Sequence, residues 1–475
     1  MDSIWSKGVE MPEFGRLEDD ICVDTAVIGG GIAGLLIAYK LKEKGVDAVI
    51  FEADKVCSGQ TSGTTAKITC QHGLIYGRLI NAFGTRKATQ YARANAAAID
   101  EYERIIRKEN IECSFERLPS YLYTSADEAA LVNEYKVASR LGISAVLLDG
   151  SPLPFEIKKS LRFDNQAQFN PLEFAAAIAK KLKTFENTKV ISAEKGTLLA
   201  NEKAVKAKHI VVATHYPFIN MPGFYFLRMH QSKSYASAFE NCGEIGGMYY
   251  GIDPGALSLR QYGNLIIAGG GAHITGEGKG NEFSDIRNKV KAVWQNASEV
   301  AEWSAQDCMP PDSVPYIGKF SKAAKNYYVA TGFQKWGMTS SMVAAEIISD
   351  MICGKVNENA GIFSPQRSLS AASGELCRHA MRSVNGLALK KLKMPEKKSS
   401  QLKKGEGDIV LHNGKTVAAY RDEQGVLHIT NPNCSHLGCR LSFNSALKRW
   451  ECPCHGSGFD IDGQLIDNPA IKNLK

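Results

Sequence analysis

Apolar and polar positions follow two different rhythms along this chain, and the change falls near residue 408. Between residues 23 and 354, short apolar runs bounded by turn residues alternate with longer helix-like segments, the pattern of an α/β body. Val23-Asp24-Thr25-Ala26-Val27-Ile28 has the composition of a buried strand, 35–44 reads as a helix, and Ala48-Val49-Ile50-Phe51 as the next strand. Further strands are predicted at 209–212, 265–268 and 327–330, and a helix from Trp336 through Asp350. Another helix is predicted over 371–393. A Lys-, Ser- and Gln-rich stretch follows at 394–407, with few apolar residues and no period, so it reads as a linker. From Ile409 onward short alternating runs are separated by turn signals: Asn413-Gly414, Asp422-Glu423-Gln424-Gly425, Asn431-Pro432-Asn433 and Asp462-Gly463. The predicted boundaries are 1–364, 365–407 and 408–475, the last a small all-β domain of 68 residues. Its core is meagre, and a metal that cross-links loops would help it fold.

The length of 475 residues agrees with more than one core, and 44% hydrophobic with 23% charged residues excludes a disordered or fibrous chain. No 20–50-residue repeat occurs. No run of 18 apolar residues occurs either, and the best stretch, 25–39, is cut by four glycines. The start, Met1-Asp2-Ser3-Ile4-Trp5, lacks a basic region and apolar core. A cytoplasmic protein without a transmembrane segment is expected.

Net charge changes the picture less than its value of +7 suggests. Residues 365–404 hold ten Lys/Arg against two acidic residues, so the rest of the chain sums to −1. A solvated basic linker on a near-neutral body explains this, and no nucleic-acid partner is expected. Cysteine is more informative. Eight of the twelve (22, 57, 70, 113, 242, 308, 353 and 377) are scattered, as buried thiols are, while Cys434, Cys439, Cys452 and Cys454 crowd into 21 residues.

The first strand runs into Gly29-Gly30-Gly31-Ile32-Ala33-Gly34 and then a helix. Gly29 permits the tight turn, Gly31 lets backbone approach a pyrophosphate, and Gly34 allows close helix–strand packing. The second strand ends at Glu52, 18 residues beyond Gly34, where a carboxylate can accept from both ribose hydroxyls. FAD is favoured over NAD by the hydroxyl-rich loop Ser58-Gly59-Gln60-Thr61-Ser62-Gly63-Thr64-Thr65-Ala66-Lys67, suited to phosphate and flavin. A late strand leads to Thr331-Gly332-Phe333, and Trp336-Gly337-Met338-Thr339 opens a helix whose N-terminus can face the flavin ring. Gly269-Gly270-Gly271 follows a strand but no ribose acid follows it, so it reads as a turn, and only one nucleotide fingerprint remains.

These residues, over 21–354, resemble the D-amino acid oxidase-like FAD-dependent oxidoreductases. The resemblance implies flavin contacts from Gly332 and from Trp336 to Thr339, with Thr61, Thr64, Thr65 and Lys67 along the cofactor. It also implies a backbone contact to adenine at Val190 and a turn, Ala213-Thr214-His215, near the cofactor. Cys308 does not match the motif of relatives that bind flavin covalently, so the FAD is expected to be non-covalent.

Cys434-Ser435-His436-Leu437-Gly438-Cys439 and Cys452-Pro453-Cys454-His455-Gly456-Ser457 stand twelve residues apart. Cys2His2 zinc is one reading, but one residue between Cys434 and His436 is tighter than zinc-finger spacing and leaves Cys439 and Cys454 without a role. The pair of motifs closely resembles Rieske 2Fe–2S proteins. That resemblance implies Cys434 and Cys452 on one iron, His436 and His455 on the other, and a Cys439–Cys454 disulfide. It places Ser457 where a hydroxyl meets a bridging sulfur, and Phe459 where a tyrosine commonly bonds a cysteine sulfur. A Rieske oxygenase would need a further two-His, one-carboxylate iron site. The only close pair, His209 and His215, flanks the flavin-type turn.

The whole chain is similar to bacterial flavoproteins of this kind with a C-terminal Rieske domain. Matching blocks include Gln71-His72-Gly73, Asn165-Gln166-Ala167-Gln168-Phe169, Ala213-Thr214-His215-Tyr216-Pro217-Phe218 and Lys335-Trp336-Gly337-Met338-Thr339. The implied fold is an α/β Rossmann-type FAD-binding domain with an interleaved α+β substrate domain, then the Rieske domain. Around the flavin, His72 is either a flavin neighbour or structural, and Arg260 either clamps a substrate carboxylate or sits in a salt bridge. Tyr250, with Tyr249, lines the pocket or the core, and Lys335 faces flavin or solvent. The expected function is a dehydrogenase. A small amine, amino acid or hydroxy acid reduces FAD, and single electrons leave through the exposed His436 and His455 loops to an acceptor protein or quinone. The rival reading is an electron-transfer adaptor reduced by a partner protein. The linker is expected to let the small domain swing, and loss of the cluster to leave FAD bound.

Overall fold

The apolar run Ile21–Ile28 becomes the central strand of a parallel sheet because both of its faces are covered, and its last four residues are fully buried. The computed structural model describes residues 3–378 and 395–474. In the first sheet the strands run Tyr316–Lys319, Tyr327–Thr331, Lys203–Val212, Ile21–Ile28, Ala48–Phe51, Lys183–Phe185, with Val190–Glu194 and Thr197–Ala200 as an antiparallel appendage. Helix Ile32–Glu43 returns from the central strand and packs on helix Gly337–Ile352.

A second, nine-stranded sheet is assembled from segments interleaved with the first. Its order is Ser298–Met309, His230–Glu240, Leu265–Ile274, Ser258–Tyr262, Met248–Gly251, Glu116–Thr124, Lys159–Gln168, Lys67–Ile68, with Val146–Asp149 on Lys159–Gln168. The triple glycine at 269–271 is not a turn, as expected, but part of Leu265–Ile274. A Cβ on Gly270 would lie 3.3 Å from both Ile286 and Leu257, so the strand uses glycine to admit a helix, Glu282–Val293, close against it.

The C-terminal body is all β, as expected: a three-stranded sheet (Glu406–His412, Lys415–Arg421, Leu427–Thr430) and a four-stranded one (Ser442–Asn444, Arg449–Glu451, Gly458–Phe459, Leu465–Asp467). The helix predicted over 371–393 lies mostly outside the described residues. Much of the segment read as linker is not a free tether. Leu402 is buried with Val410 and Ala419, and Arg421 donates to Leu402 O at 3.0 Å and Ser399 O at 3.1 Å.

Nor does this body stand apart. Gln231 Nε2 donates to His455 O at 2.6 Å, Gln306 Nε2 to Gly456 O at 2.8 Å, and Asn444 Nδ2 to Tyr235 Oη at 3.0 Å. Buried Lys233 lies 3.4 Å from buried Glu451. Burial alone would raise the Glu451 carboxyl, but Lys233 and Arg449 outweigh it and hold it at about 2. A charge pair removed from water is costly to separate, so the two bodies are docked in one arrangement.

Candidate functional site

One cavity of about 1340 Å³ runs from the glycine turn, past the second sheet, to the C-terminal body. At one end Gly29, at φ +106°, has no room for a side chain, because a Cβ would stand 2.6 Å from Ala213 O. Gly31 lines the cavity, while Gly34 packs its helix against Gly29, the task expected of it. Glu52 accepts from Gly30 N at 2.6 Å and Asp54 N at 2.9 Å, which aims its carboxylate across the glycine turn. Burial raises the Glu52 carboxyl, partly offset by these N–H donors. Thr61 Oγ1 accepts from Ile32 N at 3.1 Å. Thr64, Thr65, Val190, Gly332, Trp336, Gly337 and Met338 all line the same space. The cradle fits a dinucleotide: bare backbone where pyrophosphate would approach, an acid where ribose would lie.

Three expected residues, Arg260, His72 and Thr339, lie off the cavity. Arg260 is fully buried and does not line the cavity. Its Nη1 donates to Thr65 O at 2.7 Å and Ala66 O at 2.8 Å, and its guanidinium lies 5.1 Å from the Trp5 ring, so it holds the loop rather than a substrate. His72 is buried behind Trp336, stacked on it at 4.8 Å, with Nδ1 2.6 Å from Tyr91 Oη. Burial holds this imidazole neutral, down to about 3. Thr339 turns inward, donating to Thr69 O at 3.1 Å. Lys67 lines the cavity as expected, with its head held at the second sheet by Tyr249 O at 3.0 Å and Ser258 Oγ. Burial, with Arg260 nearby, pushes its ammonium down to about 7.

Tyr250 and Lys335 do face the cavity. Tyr250 stands 5.3 Å from Trp336, and Lys335 Nζ lies 3.0 Å from Ser234 Oγ and 3.7 Å from Asp307 Oδ2. Sequence reasoning missed Asp307, whose carboxyl burial raises with only partial relief from Lys335. It also missed Trp5, fully buried with Nε1 on Thr64 O at 2.7 Å, and Trp303, whose Nε1 donates to Gly63 O at 3.0 Å. No local motif marks any of the three.

The two cysteine loops share one design. Gly438 N donates to Cys434 O at 2.9 Å and Cys434 N to Cys439 O at 2.8 Å. In the other loop Gly456 N donates to Cys452 O and Cys452 N to Ser457 O, both at 2.8 Å. Each turn needs a glycine in the left-handed region, at φ +79° and +82°. Cys439 and Cys454 are disulfide-bonded, so although their sulfurs lie within 4.8 Å of Cys452 they are not the metal set. What remains is Cys434 and Cys452 side by side and two histidine rings 5.0 Å apart. Cys452, with help from the His436 N–H and the Ser457 hydroxyl and against burial, brings the Cys434 thiol down to about 7 while its own rises, as for two sulfurs sharing one proton. His436 Nδ1 is buried and has no hydrogen-bond partner, as a nitrogen kept for metal requires. Two thiolates and two imidazoles on rigid loops suit a Rieske cluster.

The histidine end is less open than expected: His436 is half-buried, and His455 is turned into the rest of the protein. His455 is 1% exposed, 5.9 Å from the Phe226 ring, and His436 Nε2 lies 3.2 Å from Asn220 Oδ1. His215 lines the cavity, and burial holds its imidazole down to about 4.

Fold and site together define a two-cofactor redox protein. The FAD dependent oxidoreductase family matches residues 24–351 and the Rieske [2Fe-2S] domain residues 393–475. The chain is 35% identical to "Putative Rieske 2Fe-2S iron-sulfur protein YhfW" of Bacillus subtilis (strain 168), over all of this chain and 97% of that one. Among solved structures it is similar to L-proline dehydrogenase from P. horikoshii (20% identity, TM-score 0.63, 74% of this chain and 98% of that one). It is also similar to glycine oxidase from Geobacillus kaustophilus (17% identity, TM-score 0.62, 73% and 99%). The chain belongs to the FAD-dependent oxidoreductase family and carries a C-terminal Rieske domain, so its cofactors are FAD and a 2Fe–2S cluster. Among the described residues no helix is long and apolar enough to cross a membrane.

Proposed function

We propose that this enzyme oxidises a small amino or hydroxy acid, or a related amine, in the cavity and delivers the electrons singly to an external acceptor protein or quinone. The observation that carries the reading is the shared cavity wall: residues of the Rieske body, Arg449 and Asp467 among them, line the space that the flavin cradle opens into. Flavin accepts two electrons and releases them one at a time, and a 2Fe–2S cluster carries one. Cys434, Cys452 and His455 are buried and only His436 is partly open, so its edge is the exit. Leu437, Met221, Phe224 and Leu227 give that neighbourhood an exposed apolar surface for the acceptor. Anaerobic bleaching of the flavin by amino and hydroxy acids, with no partner present, tests the reading. Bleaching only by a reduced partner protein would favour the adaptor.

Lys67 replaces Arg260 as the anchor for a substrate carboxylate. Its folded value near 7 lies below the ordinary 10.5, so the ammonium is cationic below pH 7 and neutral above it. Substrate anion binding is therefore strong below pH 7 and weakens by about tenfold per pH unit above it. Titrating flavin bleaching from pH 6 to 9 measures this, and Lys67→Met should weaken binding and flatten the profile. A profile unchanged in Lys67→Met would remove Lys67 from the site.

Phe459 is fully buried in the same cluster of side chains as Cys434 and Cys452. Phe459→Tyr should raise the cluster potential by about 20–60 mV, the one-electron equivalent of one hydrogen bond. Protein-film voltammetry reads it, and a fall or no change would show that no sulfur is in reach of the new hydroxyl.

A further inference from the structure

The segment 465–471 of the Rieske body lies where a separate electron carrier would have no reason to place it. Asn468 Nδ2 donates to Thr214 O at 2.8 Å and Tyr216 O at 3.0 Å, in the turn that ends the strand Lys203–Val212. Gln60 Nε2, in the loop that follows Glu52, donates to Asp467 Oδ1 at 3.2 Å. Lys189 Nζ, beside Val190, donates to Ile471 O at 2.9 Å. These partners belong to three chain segments that border the dinucleotide half of the cavity. Asp467, Asn468, Ala470 and Ile471 line that cavity together with Gly29, Gly31 and Glu52.

The same segment hangs from the cluster loop. Ala470 N donates to Ser457 Oγ at 3.0 Å, and Ser457 O accepts from Cys452 N at 2.8 Å. Gln231 Nε2 bridges His455 O at 2.6 Å and Asn468 O at 3.4 Å. We infer that residues 465–471 form the outer wall of the FAD site, so that the flavin is held by both bodies and its retention depends on an intact cluster loop. A dinucleotide in a cleft leaves only as fast as its walls open, and this wall opens only when the Rieske body loosens. Loss of the cluster would therefore release FAD, the reverse of what separate domains would do.

The test uses the full chain loaded with FAD and cluster, following flavin fluorescence on dilution and the cluster resonance by EPR. Asn468→Asp keeps the shape but sets a carboxylate oxygen against two carbonyls. Asn468→Leu removes the donors without adding charge. Each should release FAD at least ~tenfold faster with the cluster resonance unchanged. Cys452→Ser should abolish the resonance and also speed release, although no residue of the flavoprotein half is altered. Release within twofold of the parent in both Asn468 variants overturns the wall. Faster release there, but unchanged release in Cys452→Ser, keeps the wall and overturns its link to the cluster.

Discussion

His455→Ala is expected to abolish the Rieske-type resonance and to cut electron delivery to a one-electron acceptor by at least ~100-fold. His455 is one of the four ligands we assign to the cluster; it is 1% exposed, its ring lies 5.9 Å from the Phe226 ring, and its carbonyl accepts from Gln231 Nε2 at 2.6 Å. Truncating it removes a ligand and opens a void at the docked face, and losing a structural metal unravels a body as small as this one. With FAD kept in excess, bleaching of the flavin by substrate should persist, because Lys67, Tyr250 and Lys335, which line the cavity, belong to the other body. EPR, cytochrome reduction and anaerobic stopped-flow separate the two halves of the reaction. Retained delivery without the resonance would mean that electrons leave the flavin by another route. Flavin reduced only after the cluster would reverse the direction of flow.

Glu52→Ala should weaken FAD binding by about 100-fold or more, enough to empty the site on dialysis. A carboxylate accepting from two ribose hydroxyls loses charge-assisted hydrogen bonds of roughly 1.5–3 kcal/mol each. Glu52 also accepts from Gly30 N and Asp54 N, so its loss slackens the turn that cradles the pyrophosphate. Glu52→Gln should retain part of the affinity, because an amide oxygen still accepts one bond. The flavin-to-protein ratio after dialysis, and calorimetric titration of the stripped protein with FAD, read both effects. Full occupancy in Glu52→Ala would detach this carboxylate from the ribose.

Much of this protein was legible because some of its chemistry is local. A glycine turn that must reach φ +106° and pass close to Ala213 leaves glycines in the chain, and the acid that completes it stands at the end of the next strand. Each cluster loop packs two cysteines, a histidine and a left-handed glycine into six residues, so a metal-binding pattern stands out in the sequence, and the resemblance to Rieske proteins supplies the ligand set. The α/β and all-β rhythms likewise follow from which strands are covered on one face or on two. What depends on contacts between distant segments left no such mark. Arg260 has the chemistry of a carboxylate clamp, and only the fold shows its guanidinium turned to the carbonyls of Thr65 and Ala66. His72 belongs to a recognisable block, yet Tyr91 and Trp336 decide that it stands behind the cavity. Trp5, Asp307, Gln231 and Asn468 are ordinary residues in sequence. Their roles arise where distant segments meet, as Asn468 meets Thr214, 254 residues away. The same holds for the docking of the two bodies. A buried pair such as Lys233 and Glu451 is two unremarkable charges until tertiary structure removes the water between them.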